Sequence, residues 1–461
     1  MKTGRALSWL LVCAAILLPL SGCLGRADTS GNGTKGDTMA YESETVGGLT
    51  ETEPPEEETV KEGSVFSLSR TGMNVVIIML DRAMNEYIPY IFKEKPELSD
   101  QFDGFTYYSN VISFGGYTNF GVPPLYGGYE YTPVEMNKRE DELLVDKHNE
   151  ALKVLPVLFS QQGYDVTVCD PVYAGYSWDP DLSIFDGYTG ICAYSLQKTI
   201  GDEQEKIPGL STAFQRAYAV MDSLADITNI TKANKNTFLF LSNDMTHEPV
   251  QLQAPNYTPT AYVDNSAYDA AQPDDRFVVN GVELKVDTAW KKSHYDVNMA
   301  AMLRLGEWFD YLRAEGVYDN TRIILVSDHG RHLGQIDELV MGGADTLMDV
   351  ELYYPLLMVK DFNSRGFTTS LEFMTTADVP TLATAGVLDS PVNPFTGNPI
   401  NNDEKYAHDQ LVIVSHDWSV STNNGYTYKE AWWASVKDNM WERENWTFTQ
   451  DKFILKEHCL E

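Results

Sequence analysis

Apolar and polar positions fall into blocks along this chain, and the block type alternates. Residues 73–80 (Met-Asn-Val-Val-Ile-Ile-Met-Leu) form a β-branched run with almost no polar interruption, the pattern of a strand covered on both faces. Comparable runs lie at 163–169, 237–241 and 321–327, with shorter ones at 354–359 and 411–415. Between them apolar residues recur at helical spacing over 152–162, 210–224 and 297–315. The last of these carries Met299, Met302, Leu305, Trp308, Phe309 and Leu312 on one stripe. Strands alternating with helices predict an α/β fold, a doubly wound and mostly parallel sheet flanked by helices.

The two ends break this rhythm. Lys2 and Arg5 precede an apolar run over 7–20, too short for a comfortable membrane span and ending in Leu20-Ser21-Gly22-Cys23. That tetrapeptide resembles the bacterial lipobox. The resemblance implies a signal peptide over 1–22, lipid on Cys23, and a place on the extracytoplasmic face of the bacterial cell membrane. Residues 23–64, rich in Gly, Ser, Thr and Glu, have too little apolar surface to fold and are expected to form an acidic linker. A catalytic domain is expected over 65–415. An extension over 416–461, holding Trp432, Trp433, Trp441 and Trp446, is expected to pack on it.

Composition narrows the partners. With 34 Lys+Arg against 67 Asp+Glu the net charge is −33, which argues against nucleic acid, whose phosphates need basic neutralisation. A phosphate-bearing substrate therefore needs a local positive charge, and a bound metal supplies one economically. Five cysteines among 461 residues are too few for a disulfide scaffold, although Cys169 and Cys192 flank one loop and a bond between them is one option.

Three constellations fall just past the carboxyl ends of expected strands: Asp81, Asp244 with His247, and Asp328 with His329. That edge is where open α/β sheets bind ligands. Carboxylates and imidazole together make a mixed oxygen and nitrogen site suited to a divalent metal ion, zinc or manganese.

The strings that carry these residues resemble the alkaline phosphatase/sulfatase superfamily. They are Asn74-Val-Val-Ile-Ile-Met-Leu-Asp81, Thr246-His-Glu-Pro249, Tyr318-Asp-Asn-Thr-Arg-Ile-Ile-Leu-Val-Ser-Asp-His-Gly330 and Thr376-Ala-Asp-Val-Pro-Thr381. The sulfatase nucleophile motif Cys/Ser-x-Pro-x-Arg is absent. In its expected place, Gly116-Tyr-Thr-Asn-Phe-Gly-Val-Pro123 is similar to the Thr-x-x-x-x-Pro segment of phosphoethanolamine and phosphoglycerol transferases, including lipoteichoic acid synthase-like enzymes.

The resemblance implies Thr118 as nucleophile, and Asp81, Thr118, Asp328 and His329 as ligands of one metal site, with a second left open. It implies His247 on the substrate side, binding phosphate, serving as acid or holding a second metal. Asn119, adjacent to Thr118, is a further candidate phosphate contact, and Arg331, where sulfatases commonly carry an acidic residue, either grips a phosphate or sulfate or faces solvent. His294, His408 and His416 stay without assigned roles. The implied activity is transfer or diester hydrolysis of phospho groups on phospholipid or envelope glycopolymer. A sulfuric or phosphoric monoester hydrolase and a non-catalytic envelope-binding lipoprotein are the alternatives.

Overall fold

The computed structural model describes residues 61, 63–335, 340–342, 347–429, 431–448 and 454–456. The expected signal peptide, Cys23 and nearly all of the linker lie outside the described residues. Among the described residues no helix is long and apolar enough to cross a membrane.

Eight strands form the central sheet: β1 (Asn74–Leu80), β2 (Phe105–Tyr108), β3 (Asp165–Cys169), β4 (Ile191–Tyr194), β5 (Thr237–Asn243), β6 (Thr321–Val326), β7 (Leu357–Lys360) and β8 (Thr368–Ser370). Their spatial order is β8-β2-β7-β6-β1-β5-β3-β4. Only β7 runs against its neighbours; every other pairing is parallel. The α/β architecture expected from the sequence is therefore the one observed, with one antiparallel strand inserted.

The unbroken apolar run of β1 has a direct structural cause. Val76, Ile78 and Leu80 point into one core, and Val75, Ile77 and Met79 into a second core on the opposite face. The first core is closed by the stripe of the helix Ala289–Ala314 (Met299, Met302, Leu305, Trp308, Phe309, Leu312). The helices α1 (Thr118–Gly127) and α2 (Leu144–Gln161) close the second through Val122, Leu125, Tyr126, Leu152, Leu155 and Phe159. With α3 (Thr212–Asp222) on the first face, Ala289–Ala314 becomes α4.

The run at 411–415 departs from expectation. β9 (Gln410–Val414) does not join the central sheet but pairs antiparallel with β10 (Trp432–Val436), which pairs with β11 (Trp446–Phe448). An apolar run records burial and not the identity of the neighbouring strand. Val412, Val414, Ala434 and Val436 pack into the second core, so this small sheet extends it. Two tryptophans serve as packing anchors: Trp441 Nε1 donates to the Ser109 carbonyl at 2.8 Å and Trp446 Nε1 to the Met440 carbonyl at 2.7 Å.

Cys169 and Cys192 are not bonded to each other. The parallel register sets Cys169 against Tyr194 and Cys192 against Thr167. The two cysteines are thus two residues out of step on adjacent strands, too far apart for a disulfide.

Candidate active site and metal centre

Three adjacent strands, β6, β1 and β5, deliver the sequence-predicted acidic residues to one sheet edge. Asp81 follows β1, and its backbone is pinned on both sides: its N–H donates to the Asn243 carbonyl at 3.0 Å, and its carbonyl accepts from Thr246 Oγ1 at 2.6 Å. Asp328 and His329 follow β6. His329 Nδ1 donates to the Gly330 carbonyl at 2.7 Å, which fixes the tautomer and leaves the Nε2 lone pair free. Asp328 Oδ1 accepts the backbone N–H groups of His329 at 3.0 Å and Arg82 at 3.3 Å.

The remaining oxygens face inward. Asp328 Oδ2 and Asp81 Oδ1 are buried with no hydrogen-bond partner. One ligand atom each from Asp81, Asp328 and His329 lies within 4.8 Å of the others. Buried orphaned carboxylate oxygens are costly unless a cation takes them. Burial raises the Asp328 carboxyl to about 6, and burial followed by the charge of Asp328 raises Asp81 as well. Burial lowers His329 to about 3, so its imidazole stays neutral and able to ligate. This buried group can hold a metal ion.

Thr118 approaches the group from another element. It opens α1 and is 6% exposed, with Oγ1 3.4 Å from His329 Nε2. What holds it there is unusual for a helix. Pro123 has no N–H to give the carbonyl four residues back, and that Asn119 carbonyl instead accepts from Tyr428 Oη at 2.8 Å. Asn119 itself is fully buried, with Nδ2 facing the Asp417 carbonyl at 3.5 Å and Oδ1 unpartnered. Its amide nitrogen is thus turned toward the C-terminal segment.

The later Asp-x-x-Pro-Thr string braces the same helix. Asp378 closes a capping box with Thr375, accepts from Tyr129 Oη at 2.7 Å, and pairs with the buried Lys405 at 3.2 Å. A methyl group on Gly128, at the end of α1, would touch Pro380.

His247 returns to the sheet edge through a turn in which its N–H donates to the Asp244 carbonyl at 3.0 Å. Its Nδ1 bonds Glu248 Oε1 at 2.9 Å, leaving Nε2 for another partner. Burial alone would lower its pKa, but the Asp81 carboxylate and the Glu248 bond outweigh burial and raise it. It lines a cavity together with Asp81 and Asp244.

Two basic groups stand nearby. Arg82, which sequence reading missed, adopts a left-handed φ of 60° directly after Asp81. Its Nε is buried without a hydrogen-bond partner, 3.9 Å from Asp81 Oδ1. Burial and the Arg82 charge both lower the pKa of Arg331, whose guanidinium lies over the Trp290 ring at 5.6 Å. His294, on the first turns of α4, is fully buried with neither ring nitrogen partnered. Burial, followed by the charges of Arg331 and Arg82, lowers it to about 3. Arg82 and Arg331 thus put local positive charge beside Asp81 in a chain of net charge −33, while His294 stays neutral.

Neither His408 nor His416 joins the metal group among the described residues. Both are exposed, and His408 stands 3.8 Å from Glu404.

The chain matches the sulfatase family over residues 73–442 and belongs to it. No curated protein matches. Among solved structures it is similar to the lipoteichoic acid synthase LtaP of Listeria monocytogenes (14% identity, TM-score 0.45, covering 84% of this chain and 87% of that one). It is also similar to the phosphonate monoester hydrolase of Agrobacterium radiobacter (14%, 0.45, 84% and 89%). A third is the C-terminal periplasmic domain of EptC from Escherichia coli (11%, 0.41, 80% and 92%).

Proposed function

We propose that this sulfatase-family enzyme transfers or hydrolyses phospho groups of cell-envelope lipids or polymers through Thr118. The supporting observation is the Thr118 hydroxyl 3.4 Å from His329 Nε2, at the rim of a group whose ligand atoms lie within 4.8 Å of one another. The chain has no Cys/Ser-x-Pro-x-Arg string from which formylglycine would be made, and threonine occupies its place.

Asp81, Asp328 and His329, with Thr118 Oγ1, would hold zinc or manganese. When bound, such an ion lowers the pKa of a hydroxyl and offsets phosphate charge. The chain supplies the rest. Thr118 Oγ1 attacks phosphorus and gives a phosphothreonine. His247, held by Glu248 through Nδ1, presents Nε2 to protonate the departing alcohol. Arg82 and Arg331 hold the non-bridging oxygens, with neutral His294 as a hydrogen-bond donor; Asn119, whose amide nitrogen faces the Asp417 carbonyl, would reach the phosphate only after turning from it. A second alcohol or water then attacks the phosphothreonine and frees Thr118.

The site of action rests on the N-terminal residues. Lipid on Cys23 would tether the enzyme to the extracytoplasmic face of the membrane, with 23–64 as the linker. Cys23→Ala should then release an active enzyme from membranes, and its retention after carbonate washing would refute the tether.

Incubating the metal-loaded enzyme with a phospholipid donor labelled in its phospho head group, followed by peptide mapping, tests the chemistry. Label should appear on Thr118. Thr118→Ala should lose turnover by several orders of magnitude, since covalent catalysis splits one hard displacement into two easier ones. Thr118→Ser should keep part of it. Label on another residue, or near-normal turnover by Thr118→Ala, would rule out the assignment.

A further inference from the structure

A cavity of about 290 Å³ opens beside the Asp81, Asp328 and His329 group, sharing Asp81 with it and lined by His247 as well. Its volume sits near the lower end of small-ligand sites, roughly 300–1,000 Å³, which is room for one compact group. The far wall carries Trp178, 75% exposed, with Tyr173 meeting it edge-on at 5.1 Å and 69°. An indole left this exposed at a cavity mouth forgoes burial that folding normally secures, and is the informative kind of exposed apolar surface.

The floor is polar and prearranged. Gln197 ties two carboxyl groups together: its backbone N–H donates to Asp170 at 3.2 Å and its Nε2 to Asp244 Oδ2 at 3.3 Å. Asp170 is only 5% exposed, on a loop where it and Tyr173 both adopt left-handed φ, 50° and 54°.

We propose that this cavity is a sugar subsite, in which one pyranose ring stacks on Trp178 and directs its hydroxyls to Asp170, Gln197 and Asp244. The proposal rests on the phospho-transfer reading above and names the alcohol that the reaction uses. An apolar ring face beside hydrogen-bonding groups suits a sugar, which has CH groups on its faces and hydroxyls around its edge.

Two observations separate this occupant from others. The lining carboxylates Asp81, Asp170, Asp179, Asp244 and Glu248 outnumber Lys198 and Arg216, the latter already paired with Asp202, and so disfavour an anion, whose place is the Arg82 and Arg331 side. A quaternary ammonium group would want several aromatic faces around it, but Tyr173 presents an edge to Trp178 and does not build a second wall. Burial also raises Asp170 to about 7, so part of the apparent negative charge is absent near neutral pH.

A hydroxyl held here lies next to His247. In the second half-reaction the sugar oxygen forms a bond to phosphorus as the bond to Thr118 Oγ1 breaks. The hydroxyl proton passes to His247, which gave its own to the first leaving group, and Thr118 regains a proton from solvent.

Saturation-transfer NMR with methyl glycosides of glucose, galactose and N-acetylglucosamine, with ethanolamine as the cationic comparison, tests the subsite directly. At least one glycoside should bind the wild-type protein and be displaced by excess unlabelled glycoside. Its affinity should fall at least tenfold in Trp178→Ala and recover partly in Trp178→Phe. Because Trp178 is so exposed, these variants should fold normally. Binding of no glycoside, binding unchanged in Trp178→Ala, or stronger binding of ethanolamine would each overturn the proposal. Turnover of bis(p-nitrophenyl) phosphate by the metal-loaded wild type tests the phospho-transfer reading separately, because it needs no sugar.

Discussion

Gly121 lies against Asp328 so closely that a side-chain carbon added to it would sit 2.2 Å from the Asp328 carbonyl oxygen. The helix bearing Thr118 and the loop bearing Asp328 are therefore in backbone contact. Thr118 stands near His329 only because position 121 has no side chain.

Gly121→Ala should push α1 away from the end of β6 and separate Thr118 from His329. We expect turnover to fall at least tenfold, about 1.4 kcal/mol of barrier. Metal affinity should fall less than turnover does, because Asp81, Asp328 and His329 stand on other elements and water can take the place of Thr118 Oγ1. Steady-state kinetics alongside elemental analysis of the purified variant checks both parts; unchanged turnover would mean the contact relaxes without moving Thr118.

Asp328→Asn and His329→Ala each remove one member of the ligand group. Bound zinc or manganese should fall at least tenfold in affinity, and turnover should fall with it. Titration with a competing chelator measures the affinity. Full occupancy in both variants would show that the cluster is not a metal centre.

Tyr428→Phe leaves the Asn119 carbonyl, already denied an N–H by Pro123, without its donor. A buried unsatisfied carbonyl costs about 1–3 kcal/mol, so the denaturant midpoint should drop accordingly. A midpoint equal to wild type would mean that water or another donor replaces the phenol.

His148 is fully buried on α2, with Nε2 bonded to the Val172 carbonyl at 2.8 Å and Nδ1 unpartnered. Burial lowers its pKa to about 4, against about 6.5 for an unfolded histidine. The folded state thus binds fewer protons between these values, so its contribution is full above pH 6.5 and is lost as pH falls toward 4. The loss is on the order of 3 kcal/mol. Denaturation across that window should show this slope in wild type and a flatter one in His148→Phe. Equal slopes would assign the acid sensitivity elsewhere.

The sequence announced Asp81, Asp328 and His329 because each follows a strand whose apolar pattern is hard to mistake. It concealed α1. The Gly-rich, double-proline stretch 115–124 looks like a loop, and only tertiary partners such as Tyr428 make it a helix. Strands β2, β4 and β8 are four residues or fewer and carry mixed or polar side chains, so local pattern is weak there. Arg82 was invisible for another reason. Its importance comes from a left-handed backbone and a stranded Nε, and neither leaves a mark in residue order. His294 reads as one more position on a long helix until its two unpartnered nitrogens are seen beside Arg82 and Arg331.

β1 is paired along its whole length with β5 and over Asn74–Met79 with β6, and it is buried on both faces. Its amide hydrogens can therefore reach solvent only when the entire domain opens, which places them at the slow limit of hydrogen exchange. Asp81 is held to that strand end by a further backbone bond. The enzyme thus has a stationary anvil on its metal side. Any adjustment to substrates of differing size falls to the surrounding turns, where Tyr173, Trp178 and Arg331 reside.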